Sequence, residues 1–451
     1  MNEFSIIDFG AITNGKLQTE QIQQTIDYCY EQGGGRVVIP EGDFHTGGIR
    51  LRSNVCLYLM KDAHLIGSRN PEDYMEILSD KVQPLDKEDL DETLWLPVNK
   101  RKNYNHMNKP GNRWNNAIIR AVDAENASIV GEEGSYIDGC DCFDEKGEEY
   151  YRGPHAINMH RCSNITFENV HIKNSANWAF ALFGCENVKA EKVKVSAGHD
   201  GIHITSCKNI TINRCEFYTG DDCIAGIDNE IVRVSKCILN TACSAFRFGG
   251  WNIEIEDCEI FGPAKYLFRG SLSNEEKRNG TAPKSDGHRF NMLSLFTFYS
   301  DFSREIRRIP SDIKVKNCTV RNTDRFLHYN FSGNEPWQKN KPLKSIEFEN
   351  VIATNVKNPV TAYGDEKCPI SLTIKDSNIH FTDDRDNLPF MYLCNAEKVI
   401  LKDTVVKNLK SDVLIKRWND MGDIIFDNFV CEEFSGEKCV LTDEEFVCKA
   451  I

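Results

Sequence analysis

The sequence has no apolar run near the roughly 20 residues that a membrane-spanning helix needs, so no membrane partner is expected. It also has no dense block of lysine or arginine, and its formal charge is −14. Nucleic-acid backbones are held by basic surfaces, so a nucleic-acid partner is not expected either. The opening MNEFSIIDFG lacks the basic stretch, apolar core and small-residue cleavage site of a secretory leader. No stretch rich in Pro, Gly or Ser separates domains, so residues 1–451 read as one domain. What the chain does have is 18 cysteines. In a chain of this length without a leader, these read as reduced thiols, and a cytoplasmic location is expected.

The middle of the chain repeats a short strand-like phrase. Its key aliphatics are Ile165, Val188, Ile210, Ile231 and Ile253, with separations of 23, 22, 21 and 22. Within each phrase apolar and polar residues alternate with period two, the mark of a strand with one buried face. A fixed period near 22 with short strands describes a solenoid whose coil closes once per repeat. Leucine-rich and helical repeats need patterns that are absent. The expected fold is therefore all-β, a single-stranded right-handed parallel β-helix. Cys215, Cys237 and Cys258 recur at the same period and read as an inward stack of small hydrophobes. The sequons Asn164-Ile-Thr and Asn209-Ile-Thr fall inside the strand repeat. Later phrases at Ile313, Ile346, Leu372, Val399 and Ile424 continue the coil. Residues 78–112 and 264–310 read as insertions, and such long connections are usually functional.

The start differs. Residues 19–32 place Ile22, Thr25, Ile26 and Tyr30 at helical spacing, followed by Gly33-Gly34-Gly35. This is a short N-terminal capping helix, within a cap of about residues 1–35, closing the open apolar end of the coil.

On a coil, outward residues one period apart stack in columns. Asp200 and Asp222 are 22 apart, as are His199 and Asp221. Three acids crowded together repel, and a proton held by one of them suits acid–base cleavage of a glycosidic bond. Surface acids and a Ca²⁺ site are the alternative readings.

These residues resemble glycoside hydrolase family 28, the polygalacturonases and rhamnogalacturonan hydrolases. The likeness runs through Ile7-Asp-Phe-Gly-Ala, Gly33-Gly-Gly-Arg-Val-Val-Ile-Pro-Glu-Gly and Asn174-Ser-Ala-Asn-Trp-Ala-Phe. Its strongest part is His199-Asp200-Gly201-Ile202 followed by Gly220-Asp221-Asp222-Cys223. The resemblance implies a pectin-lyase-like solenoid and an inverting glycosidase acting on pectin-type or other plant-derived oligosaccharides, with no cofactor and no metal. Asp221 is then the general acid, and Asp200 and Asp222 activate water.

The chain departs from the family in two places. Ala242-Cys243-Ser244 stands where the family has Gly-His-Gly, and the Arg-Ile-Lys phrase is absent. His199 is expected to replace the missing histidine in tuning the acid. Arg247 is chosen over Arg269, Arg278 and Arg289 to bind substrate. Trp178, Trp251, His328, Tyr329 and Trp337 are candidates for lining the sugar groove. The large insertions would give exo action. A lyase or sugar epimerase on the same coil, or a non-catalytic carbohydrate-binding β-helix, is the alternative.

Overall fold

The computed structural model describes residues 2–74, 113–279, 287–298, 306–333, 341–384, 387–419, 422–434, 436 and 438–443. They fall into two compact units, one within Met1–Asp221 and Lys265–Arg289, the other within Asp222–Ala264 and Phe290–Ile451. Each is built from ladders of parallel strands wound in the right-handed sense that parallel connections take. Trp337 and all of the expected 78–112 insertion lie outside the described residues.

In the first unit three columns of strands stack turn upon turn. One runs through Ser163–Glu168, Glu186–Glu191 and Lys208–Asn213, with Ile165, Val188 and Ile210 in register and buried, as the period predicts. A second runs through His171–Lys173, Lys194–Ala197 and Glu216–Thr219. A third runs through His155–His160, Phe180–Phe183 and Ile202–Thr205. The polar residue at the corner of each turn is also stacked. Asn164 donates its side-chain amide to Asn126, Asn187 to Asn164, and Asn209 to Asn187, at 2.7–3.0 Å. Both sequon asparagines are therefore structural members of a ladder.

The second unit repeats the pattern, and here the sequence reading needs one correction. The residue in register with Ile253 is Val232, not Ile231, and the line continues through Ile313, Ile346, Leu372, Val399 and Ile424. Ile231 is only partly buried and has φ 55°. A register irregularity between Gly226 and Asn229 shifts the phase by one residue. Because side chains alternate with period two, that slip exchanges the faces.

All seventeen described cysteines are free thiols. Cys215 is buried in the first unit, and Cys237 and Cys258 are buried in the second, where Cys318 extends the stack. The capping helix spans Thr19–Glu31 and buries Ile22, Thr25, Ile26 and Cys29. Tyr30, expected on that face, is exposed and lies beneath the Arg52 guanidinium at 5.4 Å. The 264–310 segment is not one insertion. Lys265–Arg289 belongs to the first unit, whereas Met292–Phe298 is a regular strand of the second, paired with Ser244–Glu256 and Thr319–Asn330. Among the described residues no helix is long and apolar enough to cross a membrane.

Candidate active site

In the first unit, the paired strands Lys194–Ala197 and Glu216–Thr219 lead directly into Gly198-His199-Asp200 and Gly220-Asp221. Ala197 is in register with Thr219, so His199 and Asp221 occupy the same step beyond the ladder. Both turns need glycine for space. A Cβ on Gly220 would stand 1.9 Å from the Leu267 carbonyl oxygen, and one on Gly198 would stand 2.9 Å from Cγ of Arg269. The stretch from Leu267 to Arg269 therefore lies against both acid-bearing turns. Arg269 holds it there. Its Nη1 is 2.9 Å from Oδ1 of Asp141, its Nη2 donates to the carbonyls of Asp141 and Lys277, and its backbone N–H donates to Gly198.

Asp200 is buried and accepts a hydrogen bond of 3.0 Å from Nδ1 of His203 on its Oδ2. The carboxylate acceptor means that Nδ1 carries the proton. The other face of this pair is closed by Trp178, whose ring is stacked on His203 at 3.6 Å and 4°. Trp114 meets Trp178 edge-on at 4.8 Å. The Trp178 face expected to stack on sugar is thus used in packing. His203 was not singled out from the sequence. Its signal is a polar residue at an outward position between Ile202 and Ile204, three residues after the acid.

Asp221 keeps partial exposure, and Nη2 of Arg152 lies 3.9 Å from its Oδ2. Arg152 is also shared with Glu149 at 3.0 Å and Glu148 at 3.8 Å, and it donates to Asn177. Burial works against its charge, but the surrounding carboxylates outweigh that and hold the guanidinium firmly protonated. Sequence reasoning missed Arg152, which lies 69 residues before Asp221 and reaches it only through the stacking of turns. His199, expected to tune Asp221, is fully buried and makes no hydrogen bond through either ring nitrogen among the described residues. Burial, with Arg152 and Arg269 nearby, holds it well below the usual imidazole range and therefore neutral. Its ring stacks on Tyr151 at 5.8 Å, and Nζ of Lys277 sits over Tyr151 at 3.9 Å.

The next residue, Asp222, opens the second unit. Its Oδ1 accepts the backbone N–H of Ser244 at 2.9 Å, and its Oδ2 accepts Nε of Arg247 at 2.6 Å. Arg247, picked as a substrate ligand, is here the partner of an acid. The three acids thus do not stand alone, as their count in the sequence implies: His203, Arg152 and Arg247 accompany Asp200, Asp221 and Asp222 in turn.

The remaining groove candidates are spread through the second unit. Trp251 is buried, with the guanidinium carbons of Arg307 and Arg308 at 5.5 and 5.6 Å from its ring. Tyr329 is a core residue whose hydroxyl accepts the Leu343 N–H at 3.0 Å, and its ring meets Phe298 edge-on. His328 is buried too, and burial, aided by Arg325, lowers it to about 4. In the first unit, Arg278 pairs with Glu145, and Arg289 covers the Phe268 ring.

The strands and their register define the class of right-handed parallel β-helix solenoids. Residues 89–245, which include all three acids, match the model of glycosyl hydrolases family 28. The chain is 24% identical over 234 residues to the "Probable polygalacturonase" of Vitis vinifera, covering 49% of this chain and 43% of that protein. It is 27% identical over 249 residues to the exo-poly-alpha-D-galacturonosidase of Dickeya chrysanthemi, covering 49% and 41%. The chain thus spans about two-fifths of the length of these relatives. Among solved structures, the exopolygalacturonase of Thermotoga maritima superposes with a TM-score of 0.64 at 18% identity, over 95% of this chain and 91% of that one. The family 28 exopolygalacturonase of Yersinia enterocolitica gives 0.57 at 17%, over 99% and 79%. These structural likenesses speak for the fold. Over residues 89–245 the chain is thus similar to glycosyl hydrolases family 28.

Proposed function

We propose that this protein is a glycosidase that hydrolyses O-glycosidic bonds of pectin-type oligosaccharides with inversion. Asp221 donates a proton to the leaving oxygen, while Asp200 and Asp222 activate the attacking water. Such a mechanism places acid and base about 6.5–9.5 Å apart, with room for that water. The observation that carries this reading is the coincidence of the family segment with acids set at the ends of paired strands, Asp200 and Asp221 on successive turns. His203 and Arg247 orient the two carboxylates assigned to water. The galacturonic-acid polymers in the names of the polygalacturonase and exo-poly-alpha-D-galacturonosidase relatives support an acidic sugar as substrate.

Exo action is supported by Leu267 and Arg269, which seat their connection against the acid-bearing turns, and by the exo-acting relative from Dickeya chrysanthemi. A cytoplasmic location is supported by the free thiols, which persist in a reducing compartment. The test is product release from pectic and neutral oligosaccharides by wild type and Asp221→Asn. The expected result is cleavage of an acidic oligomer from one end, with a loss of at least about a hundredfold in the variant. An unsaturated, ultraviolet-absorbing product would identify a lyase instead, and no cleavage in the whole panel would overturn the reading.

A further inference from the structure

The first unit carries a concavity at the opposite end of the strands that lead to the acids. It has a volume of about 670 Å³ and is lined by the turns at 131–135, 169–173, 192–194 and 214–216. Lys194 and Glu216 open the strands that end at Ala197 and Thr219, just before Gly198 and Gly220. A strand of four residues spans roughly 13 Å. The groove is thus separated from the acid-bearing turns by about one strand length, on the same turns of the coil.

Its chemistry differs from the rest of this acidic chain. Four cations line it: Lys173, Lys192, Lys194 and Arg214. Three acids line it too, Glu132, Glu133 and Glu216, and two of them are engaged already. Glu216 lies 3.3 Å from Nζ of Lys194, and Glu132 accepts the Tyr58 hydroxyl and the Lys61 backbone N–H. Arg214 is paired with Glu191. Lys173 rests over the Tyr136 ring at 3.4 Å, a contact that leaves its ammonium donors available. Lys192 is exposed at a corner of the coil.

The stacking brings basic groups of successive turns together here, with Lys173 and Lys192 outside the ion pairs described above. His171 is in register with Lys194, and burial together with Lys173 and Lys194 pushes its imidazole down to about 4. Burial lowers Lys173 as well, and Lys194 adds to this, while the Asp138 carboxylate works against it. Groups stacked at a spacing of about 4.8 Å repel when alike in charge. A bound anion relieves that repulsion. The lining includes no aromatic ring other than the His171 imidazole, so a neutral sugar would find no stacking platform.

We infer that this groove is a second, non-catalytic binding site for a carboxylate-bearing oligosaccharide, held chiefly by Lys173 and Lys192. It rests on the proposed function for the identity of the acidic sugar, though not for the existence of an anion site. A site so placed would hold a second stretch of acidic oligomer near the turns where cleavage occurs, raising its local concentration.

The experiment is calorimetric titration of Asp221→Asn with trigalacturonate, repeated in the background Lys173→Ala/Lys192→Ala. The expected result is two sites per chain falling to one, with the lost site weakening as salt rises. The methyl-esterified trimer should leave the groove empty. In the otherwise wild-type chain, the same double substitution should change kcat on a short substrate less than twofold, which also shows that it folds. Unchanged stoichiometry in the double variant, or equal binding of the methyl ester to the groove, would overturn the inference. If wild type hydrolyses nothing while the lysine-dependent site remains, the functional proposal falls and the anion site stands.

Discussion

Nδ1 of His203 lies 3.0 Å from Oδ2 of Asp200, and both side chains are almost wholly closed to solvent. The imidazole fixes the rotamer of a carboxylate that is otherwise set on a turn. His203→Ala should therefore lower kcat at least tenfold while moving KM little, because the lost contact orients a catalytic group rather than binding sugar. It should also cost about 2 kcal/mol of stability, since a buried carboxylate loses its donor. Steady-state kinetics and urea unfolding check the two parts. A change confined to KM would assign His203 to substrate binding.

Arg247 tests the same distinction in the second unit. Its Nε is 2.6 Å from Asp222, so Arg247→Ala should act through kcat. A drop of about tenfold or more in kcat, with KM within twofold, is expected. If Arg247 instead grips the substrate carboxylate, KM rises and kcat holds.

Gly220 has no room for a side chain. Gly220→Ala would drive a methyl group against the Leu267 carbonyl. The backbone on either side must yield, so the stretch around Leu267 should lift from the acid-bearing turns. We expect loss of activity together with new proteolytic cleavage inside 265–289, read by limited digestion. Wild-type resistance to protease would show that the turn adapts by itself.

Stability should fall on acidification through buried histidines. His155 is fully buried, and burial, with Arg152 next, lowers it from 6.5 to about 3. The unfolded chain therefore binds a proton that the folded chain refuses between those values. This contribution is complete above pH 6.5 and is lost as pH falls toward 3. At pH 5 the loss from His155 alone is about 2 kcal/mol. Urea midpoints at pH 7 and 5 measure it, and His155→Gln should flatten the dependence by about one proton.

The coil itself was legible in the residues. A period near 22, strands alternating with period two, and the positions of Ile165, Val188 and Ile210 need only local rules, because each turn pairs with its neighbour in a fixed register. The acids were legible for the same reason, since stacking turns a sequence interval into a spatial column. The register error at Ile231 came where that regularity breaks, at an irregularity that no periodic pattern announces.

What the sequence by itself determined about this protein is therefore its repeat, its capping helix and the turns that bear Asp200, Asp221 and Asp222. Only the tertiary structure decided what surrounds those acids. Arg152 comes from a distant turn, Arg269 and Leu267 from a connection that folds back, and Tyr329 and Trp178 turn out to be packed rather than displayed. The physical reason is that the ladders fix neighbours along the coil by hydrogen-bond register. Which side chain faces a given acid across a turn, and which aromatic is covered, depends on how non-repeating connections lie on the coil, and their path has no period to read.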